Sequence, residues 1–141
     1  MTMHKLTNHI IAVANKNNRT INNMQLQKVL YFTLRYAVPL IGLDDVKKIY
    51  DESFLVWQYG PIVESQYNRF YTYGTNPIIE DTQESESYKR LNNLIIRLLD
   101  MNVFITINAS LTHNFWKQNK DKIIDGRSTI AYPLSEVLAK N

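Results

Sequence analysis

The sequence predicts a mainly α protein, a compact single-domain helical bundle with at most a short two-stranded β appendage. Three observations carry this expectation. Residues 22–38, NNMQLQKVLYFTLRYAV, are apolar or aromatic on nearly every side of a helix. Residues 88–101 form a second amphipathic run. Glycine, the residue least suited to helix interiors after proline, occurs only 4 times in 141 residues.

Length and composition bound the answer further. A chain of 141 residues is long enough to bury one sizeable core. Hydrophobic residues at 45% and charged residues at 21% are ordinary for a globular protein, which argues against disorder. No apolar run approaches the ~20 residues of a membrane span. The opening MTMHKLTNHI has no signal-peptide core, so a cytoplasmic location is expected and no membrane partner. Without cysteine, disulfides and thiolate chemistry are excluded. The net charge of +3 comes from 16 Lys and Arg scattered among 13 acids. That permits nucleic-acid contact without demanding it.

The elements follow in order. Residues 4–14 read as a helix with Leu6, Ile10, Val13 and Ala14 on one stripe, and His4 and His9 as solvated side chains. The central helix, about 22–38, starts at Asn22. Gln25 three residues on completes a capping box, and Pro39 and Gly42 close the helix. Its polar remainder is Gln25, Gln27, Lys28 and Arg35. Residues 43–50 make a short, partly helical connection. Residues 54–57 favour an extended strand, which is expected to pair with the short piece at 77–79. Gly60-Pro61 starts a helix with Pro61 in first position, burying Ile62, Val63, Tyr67, Phe70 and Tyr71, with Gly74 as its cap. Residues 80–87 read as a solvated loop. Residues 103–107 are ambiguous between a strand and a link. From Asn108 or Ser110 a helix runs to about Ile124 and stops at Gly126. Residues 128–132 are extended and 133–139 form a last short helix.

Catalytic arrangements are scarce. There is no nucleophile elbow, phosphate-cradling Gly-rich loop or His pair at i, i+4, so catalytic, metal and cofactor sites are all read as none. Ser110 and His113 place a hydroxyl three residues from an imidazole, but no carboxylate follows to orient it. Capping by Ser110 and packing of His113 near Trp116 account for both. The aromatics (9 Tyr, 5 Phe and 2 Trp) are of the kind that cores and interfaces both enrich. From pattern alone the chain is a helical domain and a binding module rather than an enzyme.

Three motifs, in order, resemble one family. Leu26-Gln27-Lys28-Val29-Leu30-Tyr31-Phe32 resembles the L-Q-K-L-L-Y-F helix motif of the Panacea antitoxin domain, which includes phage-associated GepA-type and SocA-type proteins. Trp57-Gln58-Tyr59-Gly60-Pro61-Ile62-Val63, with Tyr67 on the following helix, resembles its W-x-Y-G-P-V run. Leu111-Thr112-His113, with Trp116 nearby, resembles its L-T-H motif. The resemblance implies a mostly helical domain, no cofactor, and neutralisation of a cognate toxin by direct binding. It also implies an adaptor role toward a AAA+ protease for at least one kind of member. The alternatives are an accessory protein binding another host or phage protein, or a DNA-binding regulator. For DNA, Lys117, Lys120, Lys122 and Arg127 offer a modest basic segment but no helix-turn-helix. The matched residues Gln27, Lys28, Tyr31, Trp57, Tyr59, Gly60, Pro61, Val63, Tyr67, Thr112, His113 and Trp116 are structural or partner-binding. Lys28, on an otherwise apolar helix, needs a partner, and the Gly60-Pro61 turn offers carbonyls. A structural role for these residues, with the toxin surface elsewhere, is the favoured expectation. An exposed aromatic patch would favour the opposite.

Overall fold

The computed structural model describes residues 1–140. Helix α1 (Met3–Lys16) is followed by α2 (Asn23–Arg35) and two short helices, α3 (Val38–Ile41) and α4 (Leu43–Ile49). A hairpin of β1 (Leu55–Trp57) and β2 (Gly60–Ile62) precedes α5 (Glu64–Arg69). A loop then leads through a 3-10 turn at Glu86–Leu91 into α6 (Asn92–Leu99), α7 (Val103–Leu111), α8 (Asn114–Asn119) and finally α9 (Leu134–Val137). The mainly α architecture matches the expectation. No single helix among the described residues is long and apolar enough to cross a membrane.

Helix α2 is the centre. It packs against α1, α5, α6, α7, α9 and β2, and every residue from Leu26 to Leu34 is buried. Asn22 caps it, its Oδ1 accepting from the Gln25 backbone N–H at 2.8 Å. The expected capping box is only half formed, because the Gln25 amide instead donates to Leu99 O at 3.0 Å and ties α2 to the end of α6. The helix stops at Arg35, short of 38. Pro39 falls in the first turn of α3, where its missing N–H leaves no bond unmade.

Helix α1 is embedded rather than peripheral, and His9 corrects the sequence reading. His4 is exposed as expected, but His9 is fully buried. Its Nδ1 accepts from the Ser85 backbone N–H at 2.9 Å and its Nε2 donates to Asn92 Oδ1 at 2.7 Å. Burial lowers its pKa, which favours this neutral form. Thr82 Oγ1 donates to Asn8 O, and Asn15 Nδ2 to Glu80 O, so the polar loop is stitched along α1.

The β appendage is present, with a different second strand. β1 pairs antiparallel with β2 in the register Leu55↔Ile62, Val56↔Pro61, Trp57↔Gly60. Gly60, at φ +102°, allows the tight reversal after Gln58 and Tyr59. Pro61 therefore lies in a strand, at a position where a missing N–H costs no ladder bond, and the helix starts three residues later. Residues 77–79 form no strand; Ile78 is buried and its N–H donates to Ile21 O at 2.8 Å. Residues 128–132 are extended and flank β1, with Val56 N–H donating to Ile130 O and Tyr132 N–H to Phe54 O.

The ambiguous run at 103–107 is helical. Asn102 caps α7 through its side chain, which accepts from Phe104 N–H at 2.8 Å. Ser110 lies inside this helix, so it caps nothing; α8 begins separately after His113.

Leu30 is fully buried in the middle of α2. Leu30→Ala is expected to lower stability by ~2–5 kcal/mol, read as a lower urea midpoint at unchanged m-value.

Candidate functional site

Helical spacing puts Gln27, Lys28 and Tyr31 on the surface of α2 that meets β2 and α7. In an antiparallel strand, residues two apart turn their backbone groups to the same edge. Ile62 pairs with Leu55, so Pro61 and Val63 present theirs to the free edge facing α2. Lys28 Nζ donates to Pro61 O at 2.9 Å, and Gln27 Oε1 accepts from Val63 N–H at 2.8 Å. Two neighbouring side chains thus cap the edge that the hairpin leaves open.

Lys28 is wholly buried, and no carboxylate pairs with it among the described residues. Burial pulls its ammonium down to about 7. The space around it is tight. A Cβ on Gly60 would collide with Ser110 Oγ and reach 3.2 Å from Lys28 Nζ, so only glycine fits between α2 and α7.

A second polar contact sits beyond the first. Tyr31 O–H donates to His113 Nδ1 at 2.7 Å in a buried setting. Burial, with Arg35 nearby, depresses the His113 pKa to about 4, so the imidazole is a neutral acceptor. Burial raises the Tyr31 pKa, which keeps its proton in place. Trp116 Nε1 donates to Trp57 O at 2.9 Å, joining α8 to the end of β1. The structure therefore brings together Gln27, Lys28, Tyr31, Trp57, Gly60, Pro61, Val63, His113 and Trp116, drawn from three separated segments.

Three matched residues lie differently. Thr112 is exposed and bonds Ala109 O within its own helical turn. Tyr59 is 52% exposed at the hairpin tip. Tyr67 is half-buried on α5, its ring 5.2 Å from Trp57 and 6.0 Å from Tyr71. The rings of Trp57, Tyr59 and Tyr67 edge a cleft of about 270 Å³ with Met24, Ile62 and Arg127. The Arg127 guanidinium stacks 4.4 Å over Trp57, a contact sequence reasoning missed, since nothing near Arg127 in the chain marks it. Ser110 was weighed for catalysis and is placed otherwise. Its hydroxyl donates to Ile107 O at 2.7 Å, while His113 Nδ1 is held by Tyr31, so the two do not form a nucleophile–base pair. No group of three His, Asp or Glu side chains able to hold a metal occurs among the described residues.

A family model described as antitoxin SocA-like, Panacea domain, matches residues 26–125. The chain belongs to the Panacea-domain family. Nothing among curated proteins or solved structures matches it. The matched stretch begins with α2 and contains the Lys28, Tyr31, Gly60-Pro61 and His113 contacts. Helix α1 and residues 126–140 lie outside it, although α1 and Tyr132 contribute to the same core.

The Panacea-domain contact at Lys28 has a pH signature. The unfolded chain keeps the lysine proton up to its ordinary 10.5, whereas the folded chain releases it near 7. Between these values the unfolded state binds more protons, so stability rises with pH. From pH 7 to 9.5 the rise is expected at about 1 kcal/mol per pH unit, and Lys28→Met flattens it. Denaturant titrations across that range check this. Gly60→Ala is expected to destabilise by ~2–4 kcal/mol through strain at φ +102° and the clash with Ser110, read by thermal unfolding.

Proposed function

We propose that this Panacea-domain protein is an antitoxin that neutralises one cognate toxin by direct protein–protein contact. Membership of the antitoxin family over residues 26–125 carries the reading. The geometry supports a particular version of it. The motif side chains Gln27, Lys28, Tyr31 and His113 are buried and bonded to one another's segments, so they hold the hairpin, α2 and α7 in place. A partner then meets other residues. The protein also exposes large apolar side chains, which a folded core does not need outside and which interfaces use. Delivery of the bound toxin to a AAA+ protease is a second step of the same reading, and needs a further surface that the protease recognises.

The test is expression of the gene adjacent to this one in bacteria, with and without this protein. Growth arrest that disappears only on co-expression, with the two chains co-purifying, is the expected result. A harmless neighbour that forms no complex overturns the reading.

A further inference from the structure

Two nearly buried side chains in neighbouring cleft walls each carry a polar atom that the fold leaves unpaired. Trp57 is 6% exposed, and its Nε1–H has no acceptor among the described residues. Asn23 is 4% exposed; its amide donates to Tyr67 O at 2.9 Å, but its Oδ1 has no donor among the described residues. Folded chains seldom leave such groups unpaired, because each has given up water without a bond in return. Trp57 lines the 270 Å³ cleft described above, and Asn23 lines a second cleft of about 520 Å³. The two clefts adjoin, since Met24 and Tyr67 line both.

A donor in one wall and an acceptor in the next call for a ligand that offers a carbonyl and an N–H. Every residue of a peptide main chain offers both, and an extended stretch leaves them free where a helix does not. The remaining walls suit such a chain. Tyr59 and Tyr71, 52% and 61% exposed, flank Trp57 and Tyr67, and aromatic-lined grooves hold extended proline-rich or apolar segments. Arg127 covers the indole but is itself exposed, with no carboxylate partner among the described residues, so an incoming chain can displace it.

The charge argues against a nucleic-acid strand. Asp125 and Arg127 are the charged residues lining these clefts, and they cancel, whereas a strand needs a run of cations for its phosphates. A second copy has no suitable segment to give. Its extended runs are engaged within their own chain: Ile78 N–H with Ile21 O, Ile79 O with the Tyr73 hydroxyl, and residues 128–132 with β1. The free edge of β2 is capped by Lys28 and Gln27.

We propose that these clefts hold an extended, apolar segment of the toxin. Its main chain accepts from Trp57 Nε1–H and donates to Asn23 Oδ1, and its side chains seat between the tyrosines. This rests on the antitoxin reading above.

The test uses the full chain, the product of the adjacent gene, and overlapping peptides that tile that product. One stretch of peptides is expected to bind and to compete with the whole toxin. On binding, the Trp57 indole N–H resonance is expected to move downfield, with the Trp116 indole, already bonded to Trp57 O, as the internal reference. Tyr59→Ala with Tyr71→Ala is expected to weaken toxin and peptide binding at least ~30-fold and to abolish growth rescue. Trp57→Phe keeps a ring, removes the unpaired donor and is expected to weaken binding ~3- to 10-fold. Phe104→Ala, at an exposed ring on α7, changes binding by less than ~2-fold. The tyrosine variant keeps the wild-type unfolding temperature within a few degrees, because both side chains are exposed. Wild-type protein that neither binds the neighbour nor rescues growth overturns the antitoxin reading and this site with it. Wild-type rescue that the tyrosine variant retains, or toxin binding with no competing peptide, overturns the site alone. So does a Trp57 resonance that stays in place, or a wild-type dimer that the tyrosine variant breaks while toxin binding persists.

Discussion

A buried lysine with no counter-charge among the described residues sits at the centre of this protein, and much of the architecture can be read outward from it. Lys28 Nζ reaches one carbonyl, Pro61 O, across the interface between α2 and the hairpin. For that contact to form, the hairpin must reverse at Gly60, α7 must come close with a small residue at Ser110, and Gln27 must hold the next amide along the edge. Each requirement is met by a different segment of the chain, so the contact closes only when all of them are in place. Burial of such a group is unfavourable in itself, and replacing it by an apolar side chain is often tolerated energetically. Its effect is to specify one arrangement of helix, strand and helix.

The same constraint explains the polarity of α7. A helix that must present serine and threonine to a crowded polar interior cannot also use that face for large apolar residues. Those residues, Phe104 and Ile105, lie outside. In the aromatic cleft at Trp57, Tyr67 and Arg127, the arginine stacked on the indole forms part of the wall.

Much of this was legible in the sequence where the signal was local. The cap at Asn22, the apolar circumference of α2 and the need of Lys28 for a carbonyl all follow from neighbouring residues. The pairing of β1 was misread because 54–57 and 77–79 share strand character, whereas the choice of partner depends on the positive φ of Gly60. His9 was read as solvated because its partners, Ser85 and Asn92, are over 70 positions away. Residues 103–107 have strand propensity and became helical through tertiary context, with Asn102 as cap. The link between Tyr31 and His113 was likewise invisible, since 82 residues separate them.

The most direct measurement is the titration of Lys28 itself, followed through the chemical shift of its 13C-labelled Cε in the folded protein. A midpoint near 7, with the amine unreactive toward trinitrobenzenesulfonate in the native state, is the predicted result. A midpoint near the ordinary 10.5, with ready modification, would place the amine in solvent and contradict the buried contact with Pro61 on which the rest depends.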